Sequence, residues 1–314
     1  MDKNVATAAH ATIEQMTDPF RDVDFSQLER SLRRPRTLFD FLLTTTVSAM
    51  TILCLIPLFS VVLMLLWRGG RKLSASLFTQ LPPAPLEAGG GFGNAVVGTL
   101  VIVALAVLVT VPIGLLTAIY LAQAEDSRLS GTVRFCAKLL TGFPSILAGV
   151  FAYGAVVLVT GGYSVIAGAV ALSLLMLPTI ILTSEDAIRM VPARMRDASI
   201  GMGATRTQTI WMVLLPTALP GILTGVMLAV ARAAGETAPL LFTALFSNYW
   251  LWSSGRVELM QPTASLAVLI YNFAGMPFAN QVELAWAAAL VLVLLVLGAN
   301  IIGQSLSSQH RQQY

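Results

Sequence analysis

Long apolar runs separated by short polar stretches set the pattern of the chain. A mixed, polar opening ends in Arg33-Arg34-Pro35-Arg36, and an apolar run from Phe41 to Trp67 follows. A second run, Val96 to Leu121, carries Pro112 and Gly114, a pair that predicts a kinked membrane helix. Two more runs, Leu139–Val159 and Tyr163–Leu182, flank a tight Gly161-Gly162 turn; a fifth spans Thr217–Phe246 and a last one Leu284–Ile302. Each reaches the roughly 20 residues that a helix needs to cross a bilayer. The pattern predicts an all-α membrane protein of about six transmembrane helices. Its divisions are an N-terminal tail (1–40), a membrane domain (41–304) and a short tail (305–314). The mixed stretch after Phe246, with Tyr249, Trp250 and Trp252, is expected to dip into the membrane interface.

Composition agrees. Of 314 residues, 56% are hydrophobic and 11% charged, and the mean hydropathy is +0.78. Soluble domains carry about 25% charged residues, so a soluble globular protein is excluded. A net charge of +3 and a pI near 9.1 could suggest nucleic acid, but the cations are sorted by loop. Six lie in the N-terminal tail, three between Arg128 and Lys138, four between Arg189 and Arg206, and one at Arg311. Arg68, Arg71, Lys72 and Arg256 fall on the opposite side. The positive-inside rule then places both tails in the cytoplasm of a multi-pass inner-membrane protein, with the lipid bilayer and no nucleic acid as partner. Arg68–Lys72 is the cluster that opposes the rule. No cleavable signal peptide is expected in the polar opening. Cys54 and Cys136 lack metal-ligand spacing and are expected to be small packing residues; His10 and His310 are expected to be solvated. Neither a metal nor a cofactor is expected.

One long charged segment, 183–216, interrupts the apolar pattern. Ile188, Val191, Met195, Ser199 and Met202 recur at helical spacing, while Pro192 and the Gly201/Gly203 pair would divide the segment into short helices. Such a helix is too polar to span and must bury its stripe against a membrane surface or a partner protein. Glu185 and Arg189, four apart at its start, read as a gate or coupling pair or, more simply, as a surface salt bridge worth little.

Within this segment stand Asp197-Ala198-Ser199, Gly203, Val213 and Leu215-Pro216. Their spacing resembles the signature of ABC importer permeases: Glu-Ala-Ala, three residues, Gly, nine residues, an aliphatic, one residue, Leu-Pro. Asp replaces Glu, Ser replaces the second Ala, and Val replaces Ile, each within its size and polarity class. The resemblance implies a MetI-like type I importer fold whose coupling helices fit a groove on a cytoplasmic dimer of ATP-binding subunits. The sequence has no Gly-rich loop ending in Gly-Lys-Ser/Thr, so ATP hydrolysis is expected in that separate partner and this chain is not expected to be an enzyme.

Ala231-Arg232-Ala233-Ala234-Gly235-Glu236-Thr237-Ala238-Pro239 lies inside the fifth apolar run. An unpaired Arg at the bilayer centre costs roughly 2.5–3.5 kcal/mol on insertion scales, so Arg232 is expected to face protein or a water-filled path. Glu236, four residues on, can pair with it. The stretch to Ala244, and Gly89-Gly90-Gly91-Phe92-Gly93-Asn94-Ala95-Val96-Val97-Gly98-Thr99, resemble the phosphate-specific branch of the same permeases. That resemblance implies a substrate path through Arg232, Glu236 and Thr237, a second homologous permease subunit, a periplasmic phosphate-binding protein, and phosphate as cargo. A guanidinium suits a tetrahedral oxyanion. Thr237 and Thr243 offer donors, or bond back to the helix. Another oxyanion such as molybdate or sulfate, and a self-contained channel or secondary transporter, are the alternatives. Gly221 and Gly225 make a small-residue face that would permit a close helix contact, as at a seam with a second subunit.

Overall fold

The computed structural model describes residues 35–124, 127–253 and 255–311. Among these residues run nine helices of nine residues or more. They are α1 (Pro35–Met64, continuing through a π-turn at Leu65–Gly69 to Lys72), α2 (Gly93–Gln123), α3 (Arg128–Thr141), α4 (Ser145–Thr160), α5 (Val165–Arg189), α6 (Ala193–Gly201), α7 (Arg206–Ala234), α8 (Leu266–Ala274) and α9 (Ala279–Arg311). A two-stranded antiparallel hairpin pairs Trp252–Ser253 with Arg256–Val257. The N-terminal tail before Pro35 and the end of the last tail lie outside the described residues, as do His10 and the side chain of His310.

The chain divides at Val61 into two units. In the first, the apolar side chains of α1 are exposed along its length, as befits a helix whose solvent is lipid. The second unit, from Val62 onward, is a helical bundle. Its main core joins α2, α5 and α7 through Ile102, Leu172, Met176, Ile180 and Ile222. A second core joins the start of α2 to α8 and α9 through Phe92, Leu266, Leu269 and Leu284. Helices in lipid gain little from apolar burial against each other, so close approach depends on small residues. A Cβ at Gly114 would meet Ile180 Cγ2 at 2.7 Å, and one at Gly98 would collide with the Ala264 carbonyl oxygen.

Among the described residues, five helices are long and apolar enough to cross a membrane, and a sixth span is available if α3 and α4 are taken together. The expected third span from Leu139 is corrected, because Gly142-Phe143-Pro144 bends the chain by 108° between α3 and α4. The charged stretch from Gln123 to Arg134, between two apolar runs, contains the first half of α3. α2 passes through Pro112 without a break in its helical assignment. The fourth span does not stop at Leu182 but runs on to Arg189, which draws Glu185 and Arg189 into the helix. The fifth starts at Arg206, eleven residues before the expected Thr217, and stops at Ala234, well before Phe246. Leu215-Pro216 therefore lies inside a continuous helix: a π-turn at Ile210–Leu214 widens it just ahead of Pro216, which lacks an N–H. Cys54 and Cys136 are exposed, on α1 and on α3, and not packed as expected.

The Gly221/Gly225 face is also corrected. A Cβ at Gly221 would meet Ala187 Cβ at 2.7 Å, and one at Gly225 would collide with Thr183 Oγ1. The close seam lies within this chain, between α7 and α5.

Candidate functional site

At the end of the bundle where α2 and α5 finish, Glu185 is 3% exposed. Arg134 of α3 donates to its Oε1 twice, from Nη2 at 2.7 Å and from Nε at 3.0 Å. Arg189 Nε donates to the same oxygen at 2.9 Å. Both arginines also reach the carbonyl oxygen of Leu121, at 3.5 Å and 3.3 Å. That carbonyl belongs to the last turn of α2, where helix oxygens have no partner within the helix and cations are favoured. One buried carboxylate thus ties together α2, α3 and α5. The expectation of a surface salt bridge at Glu185–Arg189 is corrected, because α5 continues past Leu182 and carries Glu185 inside. Arg134 was missed. Its partner lies 51 positions further along the chain, so no local spacing points to it.

Three residues after α5, Pro192 opens α6. The helix ends in a left-handed turn at Gly203, whose φ is +87°. Gly203 N donates to Ile200 O at 2.9 Å and Ala204 N to Ser199 O at 3.1 Å, the paired bonds of a Schellman turn. A side chain at that φ is strained, so the signature glycine has a backbone reason. Next, Thr205 and Gln208 form a reciprocal capping box that starts α7. Ser199 and Thr209, both 3% exposed, face each other with hydroxyl oxygens 2.9 Å apart, joining α6 to the base of α7. Thr209 was another residue that sequence reasoning missed. Asp197 and Ala198 are exposed, whereas Leu215 and Pro216 are half-buried within α7. The expected apolar stripe holds at Ile188 and fails at Met202, which is 83% exposed.

The third constellation lies where α7 ends. The seam pairs Gly221 with Ala187 and Gly225 with Thr183. Continued in the same antiparallel register, it sets Arg232 level with Met176, near the middle of α5. On the other side, Val230 and Ala234 of α7 share a 200 Å³ apolar cavity with Val103 of α2 and Leu295 of α9, both well inside their helices. α7 therefore terminates partway through the bundle. From Gly235 to Leu251 the chain is irregular apart from one turn at Ala238–Leu241. It is buried there in protein, with Leu240 at 3%, Thr243 at 0% and Ala244 at 0% exposure. Non-helical backbone at membrane depth requires such cover. Pro239 fits against Gly149 of α4, where a Cβ would come within 2.6 Å of it. Ser164 N donates to the Thr243 carbonyl at 3.0 Å.

Arg232 occupies the last turn of α7, where a cation opposes the negative helix terminus. Its side chain is 44% exposed, and its Nε approaches Glu236 Oε1 at 3.4 Å, a long contact that leaves most of the guanidinium fork free for other acceptors. Thr237 Oγ1 lies 3.5 Å from the Ala267 carbonyl of α8. Thr243 Oγ1 bonds back to Pro239 O at 2.7 Å and is committed there. The Gly-rich stretch 89–99 has a packing role. Asn94 Nδ2, 1% exposed, donates to the carbonyls of Ser247 at 2.9 Å and Tyr249 at 3.3 Å. Leu266 N donates to Thr99 Oγ1 at 2.8 Å. This stretch thus clasps the segment that follows the broken helix. Among the described residues, no group of three His, Cys, Asp or Glu could hold a metal.

Residues 110–311 match the model of the binding-protein-dependent transport system inner membrane component family. The phosphate transport system permease protein PstA of Haemophilus influenzae is 41% identical over 249 residues, covering 79% of this chain and 86% of that protein. PstA of Yersinia pestis is 40% identical over 238 residues, 76% of this chain and 79% of that protein. In fold, the chain is similar to a bacterial alginate ABC transporter structure, with a TM-score of 0.61 at 15% identity over 90% of this chain and 98% of the other. It is also similar to an inward-facing MetNI methionine ABC transporter, with a TM-score of 0.54 at 21% identity, covering 69% of this chain and 93% of the other. Signature turn, broken helix and relatives agree: the chain belongs to the binding-protein-dependent transport system inner membrane components, among the PstA-type permeases.

Proposed function

We propose that this chain is one of two permease subunits of an ATP-driven inorganic phosphate importer. The partners are a homologous permease, a cytoplasmic ATP-binding dimer and a periplasmic phosphate-binding protein; this chain itself hydrolyses nothing. Its tails and α6 face the cytoplasm and the Trp252–Val257 hairpin faces the periplasm.

The observation that carries the reading is the break of α7 at mid-bundle beside a half-exposed arginine. A discontinuous helix in a transporter marks the place where a substrate is held near the bilayer midplane. Arg232 supplies the charge and donors for a tetrahedral oxyanion, and Glu236 weakens the hold so that the anion can leave. Thr237 lines the same turn. At the other end, α6 presents Asp197 and Ala198 outward while Ser199 and Gly203 fix its pose. Its movement, imposed by the ATPase, reaches α7 through Ser199–Thr209. It reaches α5 through the three-residue link, and from there α2 and α3 through Glu185.

The test is uptake of labelled phosphate into cells or proteoliposomes carrying the full complex. Removal of the ATP-binding partner should abolish it, and undiminished uptake would show a channel or secondary transporter. Molybdate or sulfate uptake that exceeds phosphate uptake would reassign the cargo.

A further inference from the structure

Arg68, Arg71 and Lys72 oppose the charge asymmetry of the rest of the chain, and the proposed permease function leaves them unused. In the second unit they sit at the end of α1 beside the first turns of α9. The Arg68 guanidinium lies 5.5 Å from the centroid of the Trp286 ring, and that of Arg71 lies 4.9 Å from the Trp67 ring. Lys72 Nζ is 2.6 Å from Glu283 Oε2. Stacking on an indole holds a guanidinium flat without neutralising it, and tryptophan marks the depth of the membrane–water interface. Among the described residues, Glu283 is the one carboxylate recorded against these three cations. The cluster keeps an excess of positive charge at headgroup depth. The close fit is built in: a Cβ on Gly69 would meet the Trp286 carbonyl oxygen at 2.6 Å.

Directly after Lys72, the chain opens onto a groove of about 660 Å³ whose walls include Leu73, Phe78, Val96, Leu100, Leu294 and Leu295. Ser74 is its one polar lining residue. From Glu283 to Leu295, α9 advances about 18 Å at 1.5 Å per residue, so the groove descends from the charged rim toward the bilayer middle. A soluble anion would account for the rim but not the groove; an uncharged apolar ligand would account for the groove but not the rim. We infer that this is a binding site for one anionic phospholipid, its phosphodiester on Arg68 and Arg71 and an acyl chain in the groove. The leaflet follows from the orientation proposed above, whereas binding itself does not depend on it.

The test uses the complete complex in nanodiscs of equal phosphatidylglycerol and phosphatidylcholine, with retained lipids counted by native mass spectrometry. Phosphatidylglycerol should be enriched on the wild type. A cation near a membrane surface contributes about fivefold, so an Arg68→Gln, Arg71→Gln variant should lower the enrichment on the order of 25-fold. Arg68→Lys, Arg71→Lys should keep most of it, which separates charge from misfolding. Leu294→Trp, filling the groove, should reduce retention of either lipid with the cations intact. Unchanged enrichment in the Gln variant would overturn the inference. So would displacement of the lipid by millimolar inorganic phosphate, which would make this a small-anion site. Crosslinking of a Leu294→Cys variant to another polypeptide would assign the groove to a protein partner instead. Each readout is independent of transport, so its failure is separable from failure of the importer reading.

Discussion

Glu185–Arg189 and Arg232–Glu236 look alike in sequence: an arginine and a carboxylate four apart beside apolar residues. Their surroundings are opposite. The Glu185 side chain is 4% exposed and accepts from two arginines on two helices, whereas Arg232 is 44% exposed and has one long contact. Spacing permits a pair but does not decide its work; that depends on whether the helix continues through the pair or ends at it. α5 continues, so its carboxylate becomes an internal tie. α7 ends, so its arginine stands at the margin of a break with donors to spare. One pair holds helices together and the other holds something that must leave.

This contrast can be broken experimentally. The largest effect is expected from Glu185→Gln, which leaves two guanidinium groups around an uncharged amide. Breaking a buried pair costs about 3–5 kcal/mol. The arginines, 24% and 35% exposed, recover part of that through water, so the lower end is expected, read as thermal destabilisation of the purified complex. A complex that melts normally would mean that the tie is dispensable. Arg232→Gln should do the reverse: assembly and melting unchanged, phosphate uptake down by about 10- to 100-fold, the worth of a charge-assisted hydrogen bond. Surviving uptake would remove Arg232 from the path.

Smaller effects sharpen the picture. Ser199→Ala leaves the buried Thr209 hydroxyl without its partner, a loss of about 1 kcal/mol. It should appear as phosphate moved per ATP hydrolysed falling by several-fold, with melting little changed. Glu236→Gln removes a partly exposed pair worth about 0.2–1 kcal/mol. It should lower the half-saturating phosphate concentration by at most about fivefold while slowing maximal uptake.

Much of the fold was legible because bilayer thickness and hydropathy fix where helices lie, and the spans through Leu53, Leu105 and Val291 all stand where the apolar runs are. Ends were not legible. Glu185 reads as polar, yet two arginines satisfy it, so burial continues where hydropathy says stop. Leu240 and Ala244 read as span, yet α7 has already ended: Leu240 lies in a separate single turn and Ala244 just after it, both against Gly168 of α5. The Gly203 turn could be read from local chemistry, since a left-handed residue needs glycine. Arg134 could not be found the same way, because its partner is 51 positions away and pairing at that distance leaves no periodic trace.

The α5–α7 seam carries one more consequence. On α7 small residues recur every fourth position, at Thr217, Gly221, Gly225, Ala229 and Ala233, and the two glycines of this row face α5. Thr183 and Ala187 are lodged in two successive gaps of this row. Gaps four residues apart lie about 6 Å apart along the axis, so the two helices meet like a rack and its teeth. Sliding either helix by one notch would press Thr183 on Ala229 or Ala187 on Thr217, each of which carries the Cβ that the glycines lack. The seam therefore has one register, fixed by where the two glycines stand.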